Sequence, residues 1–299
     1  MSKTKMTNAC NFCYKCFVKR FGVNCLIKNR LIVHFHMKNY CCLFLMLTFA
    51  VAFAQEKRSI VVRTDTIQVK ADSFIGNDIY GAYYFIHDNA LVKKNKSKNW
   101  QYKNPALGKI TRIDLQNPLK IVLFYESFNT VILLDNQLNE TQKIKLSENT
   151  VPIVATAVGL AFGNRLWIYN SLSQQIGLLD YLKNSYQPIT TPFKGTIAYY
   201  NSGFNYFQWI DEKYFWYRCD VYGKISTVGK VPESGQFQFA NDSGLIYEKD
   251  NKLYYFDGKT NKSALINFDE KTFESFSFKD QILSIFTKQK ITNYKISLP

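Results

Sequence analysis

Short apolar runs separated by polar turns make up the chain from Ser59 onward. The clearest stretch is Gly159 to Thr190, GLAFGNRLWIYNSLSQQIGLLDYLKNSYQPIT, and a looser counterpart is Gly244 to Phe268, GLIYEKDNKLYYFDGKTNKSALINF. Both have a Gly-Leu pair, an apolar run, a polar turn and a second apolar run that ends in Asp180 or Asp257. Runs of this length bounded by turn residues favour strands. The pattern therefore predicts antiparallel meanders arranged in series.

The meander recurs along the whole body of the chain. Each of four units contains several strand-like runs, and the units lie near 108–146, 159–190, 196–231 and 237–268. The third-strand landmarks are Asp135, Asp180, Asp220, Asp257 and Asn293, which are 45, 40, 37 and 36 residues apart. Nothing after Gln55 has helical periodicity. A repeat near 40 residues with four antiparallel strands is typical of a β-propeller, because blades packed around an axis bury faces that one small sheet cannot bury alone.

The two ends of the body predict how the ring closes. The last stretch offers only three strands, FESFSF, QILSIFT and ITNYKISL, whereas Ser59–Lys70 is a strand without a unit. Pairing that strand with the last unit would complete a blade and cover an exposed sheet edge. We therefore expect an all-β, six-bladed propeller closed by its N-terminal strand, with five or seven blades as alternatives.

Several repeats resemble the YVTN- and NHL-like repeats of secreted bacterial propellers. The matching stretches are NRLWIYNSLSQQIGLLDYLKNSYQPI, KIVLFYESFNTVILLDNQLNETQKIKL and NKLYYFDGKTNKSALINF. The resemblance covers nearly all of residues 59–298 and lies in the strand pattern, since the Gly-His and Trp-Asp signatures of WD40 repeats are absent. It implies a six-bladed fold and carries no function.

The amino terminus reads as an export signal followed by one domain. Residues 37–54 combine a basic start, about a dozen apolar residues and the small-x-small sequence Ala52-Phe53-Ala54, which is typical of a signal peptide. Residues 1–36 precede it and are interpreted as a spurious or unstructured extension. The alternative is a metal site, since three of its cysteines have C-x2-C-x2-C spacing (Cys10, Cys13, Cys16) and Cys25 follows. Residues 55–299 are predicted to be a single propeller domain.

The formal charge of +15 overstates how basic that domain is. The first 54 residues hold eight Lys or Arg and no acidic residue, which leaves 30 basic and 23 acidic side chains in the rest. One dense basic run, Lys93 to Lys98, is interpreted as a solvated loop rather than a phosphate-binding track. No nucleic-acid partner is expected. Cys219, the one cysteine after residue 54, sits in an apolar strand and is expected in the core.

Candidate binding residues lie in the turns between second and third strands, which a propeller places on one face beside its channel. They are His87, Asp88, Glu126, Phe128, Asn129, Asn170, Asp211, Glu212 and Asp250. Asp and Asn are also the residues that tight turns select, so turn formation is the competing explanation. His87 is the one histidine after residue 54, and a histidine in a polar turn is usually a turn residue.

No catalytic residue is assigned, because GxSxG, HExxH, P-loop and dinucleotide-binding motifs are absent. No cofactor is expected, with calcium as an alternative held by Glu126, Asn129, Asn170 and Asp211, as in secreted lactonase-like propellers. A third alternative is carbohydrate binding through exposed aromatic side chains, among them the four Trp. These aromatics are expected mainly to pack between blades.

The sequence thus predicts an exported, non-catalytic propeller that binds a protein partner or an envelope complex. It would act in the periplasm or at the outer membrane of a Gram-negative bacterium, with no transmembrane span in the mature chain and peripheral membrane association as an option. The rival functions are a calcium-dependent lactonase- or esterase-like hydrolase and a carbohydrate-binding module.

Overall fold

The computed structural model describes residues 60–298, which form six four-stranded antiparallel sheets arranged as the blades of a β-propeller. The predicted all-β class, the six blades and the closure by the N-terminal strand are confirmed. The predicted extension 1–36 and signal peptide 37–54 lie outside the described residues. In the described part of the chain, no helix has the length and apolar character needed to cross a bilayer.

The blades follow one another along the chain, and within each the first strand is innermost. Blade I is β2 (Ser73–Asn77), β3 (Tyr83–His87), β4 (Ala90–Lys94) and β5 (Asn99–Tyr102); blade II is β6 (Arg112–Asp114), β7 (Ile121–Tyr125), β8 (Thr130–Leu134) and β9 (Glu140–Lys145). Blade III is β10 (Ala155–Leu160), β11 (Arg165–Asn170), β12 (Gln175–Asp180) and β13 (Ser185–Pro188); blade IV is β14 (Ile197–Ser202), β15 (Tyr206–Asp211), β16 (Phe215–Asp220) and β17 (Ile225–Lys230). Blade V is β18 (Phe237–Phe239), β19 (Gly244–Lys249), β20 (Lys252–Asp257) and β21 (Lys262–Ile266); blade VI is β22 (Ser275–Lys279), β23 (Ile282–Thr287), β24 (Lys290–Ser297) and β1 (Ile60–Gln68). Three short 3-10 turns lie at Pro105–Leu107, Glu126–Phe128 and Leu146–Glu148.

The alternation of strands gives the ring two distinct faces. The turns between first and second strands and between third and fourth strands lie on one face, which we call the hairpin face. The turns between second and third strands and the connections between blades lie on the other, the connection face. Because β1 and β24 are antiparallel, with Val61 opposite Ile296, the described chain also starts and ends on the hairpin face.

A buried amide links the closing strand to the neighbouring blade. The Asn293 side chain on β24 donates to Asp65 Oδ1 on β1 at 2.6 Å and to the Tyr83 hydroxyl of blade I at 2.7 Å. Its own oxygen accepts a hydrogen bond from Ser284. Asn293 therefore joins blade VI to blade I, and its predicted equivalence to the third-strand Asp residues is wrong.

Those Asp residues cap the turns between third and fourth strands. The Oδ1 atoms of Asp135, Asp180 and Asp220 each accept backbone N–H groups two residues ahead and three or four residues ahead. Asn95 does the same in blade I. The repeat thus reflects turn formation, which Asp and Asn favour by bonding their own backbone.

Two local sequence assignments change in the structure. Gly159 lies in the innermost strand β10, whereas Gly244 begins the second strand β19, so the shared Gly-Leu pair is not structurally equivalent. The stretch Gly76-Asn77-Asp78, whose residue types favour a turn, is mostly strand, because Ser73–Asn77 forms β2. This strand is short and ends in Gly76 and Asn77, which are typical turn residues, so its sequence does not indicate a strand.

Aromatic side chains fill the wedges between blades. Trp167 and Trp216 are fully buried, and Trp209 stacks on Phe193 with ring centroids 5.2 Å apart. Cys219 is fully buried as predicted, and burial raises the pKa of its thiol to about 12. Core packing thus explains these three Trp residues.

The predicted basic loop at Lys93 is partly wrong. Lys93 is buried, and its ammonium lies 3.6 Å from the Asp78 carboxylate and donates to Asn136 O at 2.9 Å. The remaining lysines of the run flank the Asn95-capped turn. Lys93 therefore joins blades I and II rather than belonging to a solvated surface.

The innermost strand of blade III, β10, does not line the central cavity, and blades II and IV contact each other directly on its inner side. Asp114 Oδ2 on β6 accepts hydrogen bonds from Leu160 N at 2.8 Å and from Ser202 Oγ on β14 at 2.7 Å. Arg112 Nη2, two residues earlier, donates to Tyr200 O at 2.7 Å. A Cβ atom on Gly159 would lie 2.1 Å from Ser202 Oγ. Blades II and IV can therefore approach only because β10 has no side chain at residue 159.

We expect Gly159→Ala to lower the free energy of unfolding by about 1–3 kcal/mol, because the added methyl group overpacks this three-blade junction. Chemical denaturation followed by tryptophan fluorescence measures the change. Gly235→Ala is the matched control, since a Cβ there meets nothing within 4 Å. Equal effects from the two substitutions would contradict the junction as described.

A buried carboxylate supports blade VI from the preceding connection. Glu270 accepts hydrogen bonds from the Tyr294 hydroxyl and from Lys290 Nζ, the latter at 3.4 Å. Burial raises the pKa of Glu270, but the neighbouring Thr292, Tyr294 and Lys290 side chains more than offset this, so the pKa lies below its ordinary 4.5. The ionised form is thus the one that the fold stabilises.

A lowered pKa in the folded state gives stability that is present above the unfolded value and is lost as the pH falls through the folded value. We therefore expect the unfolding free energy to fall below about pH 4.5, and Glu270→Gln to be less stable at neutral pH with a smaller acid-dependent loss. Thermal unfolding across pH 3–7 tests this. Glu148→Gln, in an exposed pair with Lys145, should leave the pH profile unchanged.

Candidate functional site

The predicted binding residues all lie on the connection face, in five blades. His87 and Asp88 belong to blade I, Glu126, Phe128 and Asn129 to blade II, Asn170 to blade III, Asp211 and Glu212 to blade IV, and Asp250 to blade V. None of the nine lines the central cavity. The structure therefore spreads these residues around one face and does not bring them together at the channel.

Several of them hold the connections between blades. Asn170 Oδ1 accepts from Val154 N at 3.0 Å, and its Nδ2 donates to Pro152 O at 2.9 Å. Asn129, in left-handed conformation, donates to Ile153 O and accepts from Ala155 N. Both asparagines thus hydrogen-bond to the backbone of the connection from blade II to blade III.

Blade IV uses the same device. Glu212 Oε2 accepts from Thr196 N at 2.6 Å. Hydrogen bonds from its own backbone N–H and from Thr196 N lower the pKa of Glu212. Asp211 Oδ1 accepts from Lys213 N and Phe215 N within its own turn. The proposed calcium ligands Asn129, Asn170 and Asp211 therefore already use side-chain oxygens to hold backbone amides.

One group on this face has the composition of a metal site. Within residues 60–298, Asp72, His87 and Asp88 each offer a ligand atom within 4.8 Å of the others. Asp72 Oδ2 also accepts from Asp88 N at 2.7 Å, and both carboxylates are exposed. The group contains the predicted His87 and Asp88 and adds Asp72. Asp72 was not predicted because it lies just before β2 and not in a turn between second and third strands.

Exposed apolar side chains favour the opposite face. Of the thirteen large ones exposed in the described chain, seven lie in turns of the hairpin face: Ile79, Tyr80, Leu119, Phe162, Leu182, Phe204 and Tyr222. We call these seven the hairpin arc. They belong to blades I–IV, whereas the corresponding turns of blades V and VI are polar. Tyr222 is 89% exposed. The connection face carries four such residues: Phe128, Val151, Val154 and Leu172.

Part of the hairpin arc is held rigidly by backbone contacts. Phe162 N donates to Phe204 O at 2.8 Å, which joins the turns of blades III and IV. Arg165 Nε donates to Phe162 O at 3.2 Å. Lys183 and Lys224, in the neighbouring turns of the same two blades, are exposed. The arc therefore combines fixed apolar turn tips with exposed lysine side chains, of which Lys183 has its ammonium 3.9 Å from the Asp180 carboxylate.

A central cavity of about 1100 Å³ lies along the axis. The inner strands of five blades line it, and the withdrawn β10 does not. Burial opposes the charge of Arg112 in its wall, but Tyr200, Tyr199 and Asp114 more than offset this and raise its pKa. Arg112 is therefore a permanent cation that belongs to the three-blade junction.

Comparison with solved structures shows the fold. The chain is similar to virginiamycin B lyase from Staphylococcus aureus, with a TM-score of 0.54, 11% identity, and coverage of 80% of this chain and 99% of that one. It is also similar to the β-propeller domain of Myceliophteria thermophila Cps50 (Swd1), with a TM-score of 0.52, 9% identity, and coverage of 78% and 100%.

A third similar structure is a DUF4221 family member from Bacteroides vulgatus, with a TM-score of 0.51, 7% identity, and coverage of 81% and 99%. At these identities the likeness concerns the fold alone, and one of the three is a lyase. No protein-family model and no curated protein match the sequence.

We expect Asn170→Ala to lower the free energy of unfolding by about 1–3 kcal/mol, since it leaves buried backbone groups of the connection unpaired. Equilibrium denaturation measures it. Glu126→Ala, on an exposed neighbouring turn, should change stability by less than about 0.5 kcal/mol. If both variants keep wild-type stability, the holding role of Asn170 is refuted.

Proposed function

We propose that this propeller is a non-catalytic, protein-binding subunit that is exported to the periplasm or outer membrane of a Gram-negative bacterium. The hairpin arc is the observation that carries the proposal. Seven of the thirteen exposed large apolar residues of the described chain share this face, and the Phe162 and Phe204 turns are in direct contact. Contiguous exposed apolar surface commonly marks interaction sites, and aromatic residues are enriched where proteins bind one another. The signal-like sequence 37–54 supports export, and the scaffold itself offers a rigid disc.

The site of binding in this proposal is the hairpin face rather than the predicted loops. Polar residues of those loops, such as Asn129, Asn170 and Glu212, hold backbone groups of the propeller. The arc residues instead expose 43–89% of their surface. The exposed Lys183 and Lys224 beside the arc suit a partner whose apolar surface is bordered by carboxylates.

The predicted rival is a calcium-dependent hydrolase. The two exposed carboxylates of the Asp72, His87 and Asp88 group are the observation that favours it, because carboxylate oxygens suit calcium, whereas the half-buried His87 imidazole suits a transition metal. It lies on the connection face, so substitutions on the two faces separate the two functions.

To test the proposal, the tagged protein is recovered from its native envelope with and without a chelator, together with a Phe162→Ser/Leu182→Ser/Tyr222→Ser variant. The matched control is Phe128→Ser/Leu172→Ser on the connection face. We expect one protein partner to co-purify with wild type and control, independently of chelation. The arc variant should bind that partner at least about tenfold more weakly, as expected for loss of aromatic contacts at an interface.

Two results would contradict the proposal. Loss of the partner only in the connection-face variant would move the binding site to the predicted loops. A protein that carries stoichiometric calcium, binds no partner and loses thermal stability on chelation would favour the hydrolase.

A further inference from the structure

The central cavity extends sideways between blades IV and V. Its blade lining comes mainly from innermost strands and their ends. Second-strand residues reach it in blade I, where Ile86 lines it, and in blade IV, where both Tyr206 and Gln208 of β15 do. Asn201 on β14 lines the same part. We call this part, bounded by Asn201, Tyr206 and Gln208, the channel niche.

The strand register places the two amides of the niche side by side. Asn201 is directly opposite Gln208, and Gln208 is directly opposite Arg218 on β16. Directly opposed residues project to the same side of a sheet, with Cβ atoms about 5 Å apart. Arg218 Nη1 meets Asp242 of blade V at 2.9 Å, so this side faces blade V.

One donor in the niche has no protein partner. Gln208 is 97% buried, and its carboxamide oxygen accepts from Trp216 Nε1 at 3.3 Å. No hydrogen bond within residues 60–298 uses Nε2 of Gln208, and Gln208 lines the cavity. An amide donor without a protein partner at a cavity wall is free to bond an acceptor that enters the cavity, either water or a ligand.

The charges of the wall indicate a neutral ligand. Three cations line the cavity (Lys109, Arg112 and Lys279), and three carboxylates do so too (Asp72, Asp114 and Asp280). A balanced wall gives no advantage to an anion or a cation. The side chains of Asn201 and Gln208 each present both donors and acceptors, which matches adjacent hydroxyl groups.

We infer that the channel niche binds a neutral saccharide, whose hydroxyl groups pair with Asn201 and Gln208. The cavity is as large as the pockets that enclose small ligands. This site is separate from the hairpin arc, and it differs from the carbohydrate surface of exposed Trp residues considered from the sequence, since Trp167, Trp209 and Trp216 are buried.

The Trp216 indole N–H reports directly on the niche because it donates to Gln208. The protein, labelled with nitrogen-15, is titrated with maltotriose, cellotriose and N,N′-diacetylchitobiose, each to about 10 mM, which exceeds a weak Kd of about 1 mM. We expect one of these sugars to shift the Trp216 signal saturably while the Trp100 signal of blade I stays in place.

Variants then test the named contacts by isothermal titration with that sugar. Asn201→Ala should weaken binding by about tenfold, and Gln208→Met should do the same while keeping the side-chain volume. Gln187→Met, on the exposed outer strand of blade III, should bind as wild type does. Circular dichroism and thermal unfolding confirm that each variant is folded, and a Gln208→Met protein that fails this control leaves Asn201→Ala as the deciding variant.

The inference is overturned if none of the three sugars shifts Trp216, which would mean that water alone satisfies Gln208. It is also overturned if glucuronate or triglycine shifts the signal more strongly than every neutral sugar. Unchanged affinity in Asn201→Ala would remove the niche as the site of binding.

Discussion

The Asp114 carboxylate determines how the ring is shaped. It accepts hydrogen bonds from strands of two other blades, Leu160 N and Ser202 Oγ. A carboxylate that receives such bonds at a blade junction fixes the distance between the strands that donate them. Gly159 allows this distance because the Ser202 side chain lies where a Cβ would be. The withdrawal of β10 and the five-strand lining of the cavity belong to the same arrangement.

The two faces of the disc differ in what their turn side chains do. On the connection face, amide and carboxylate side chains form hydrogen bonds with neighbouring backbone groups, as Asn129, Asn170 and Glu212 do. On the hairpin face, side chains such as Tyr80 and Tyr222 lie at turn tips and contribute little to the core. A partner that docks there would cover apolar surface without disturbing the contacts that join the blades. Substitutions on the hairpin face would then change partner binding with little effect on stability, and substitutions on the connection face would do the reverse.

Much of the architecture could be predicted from local pattern, but little of the site could. The strand runs, the spacing of Asp135, Asp180 and Asp220, and the unpaired first strand depend on neighbouring residues in the chain, so they were visible in the sequence. The burial of Lys93 depends on Asp78 and on Asn136 of the next blade, which no local pattern reveals. Likewise Gln208 reads as one polar residue in an apolar strand. Its significance comes from Trp216 beside it and from a gap between blades.

The pairing of β1 with β24 also sets the order in which the protein can be completed. Asp65 and Asn293, which meet at this seam, are separated by 228 positions in the chain. Closing so long a loop carries an entropic cost that must be met before the contact stabilises anything. Synthesis delivers β1 ahead of every other described strand, and its partner β24 arrives last. Blades I–V can assemble as they emerge, while β1 stays an unpaired edge until the last blade appears. The time between the synthesis of β1 and ring closure is therefore the period when this chain most needs protection from aggregation.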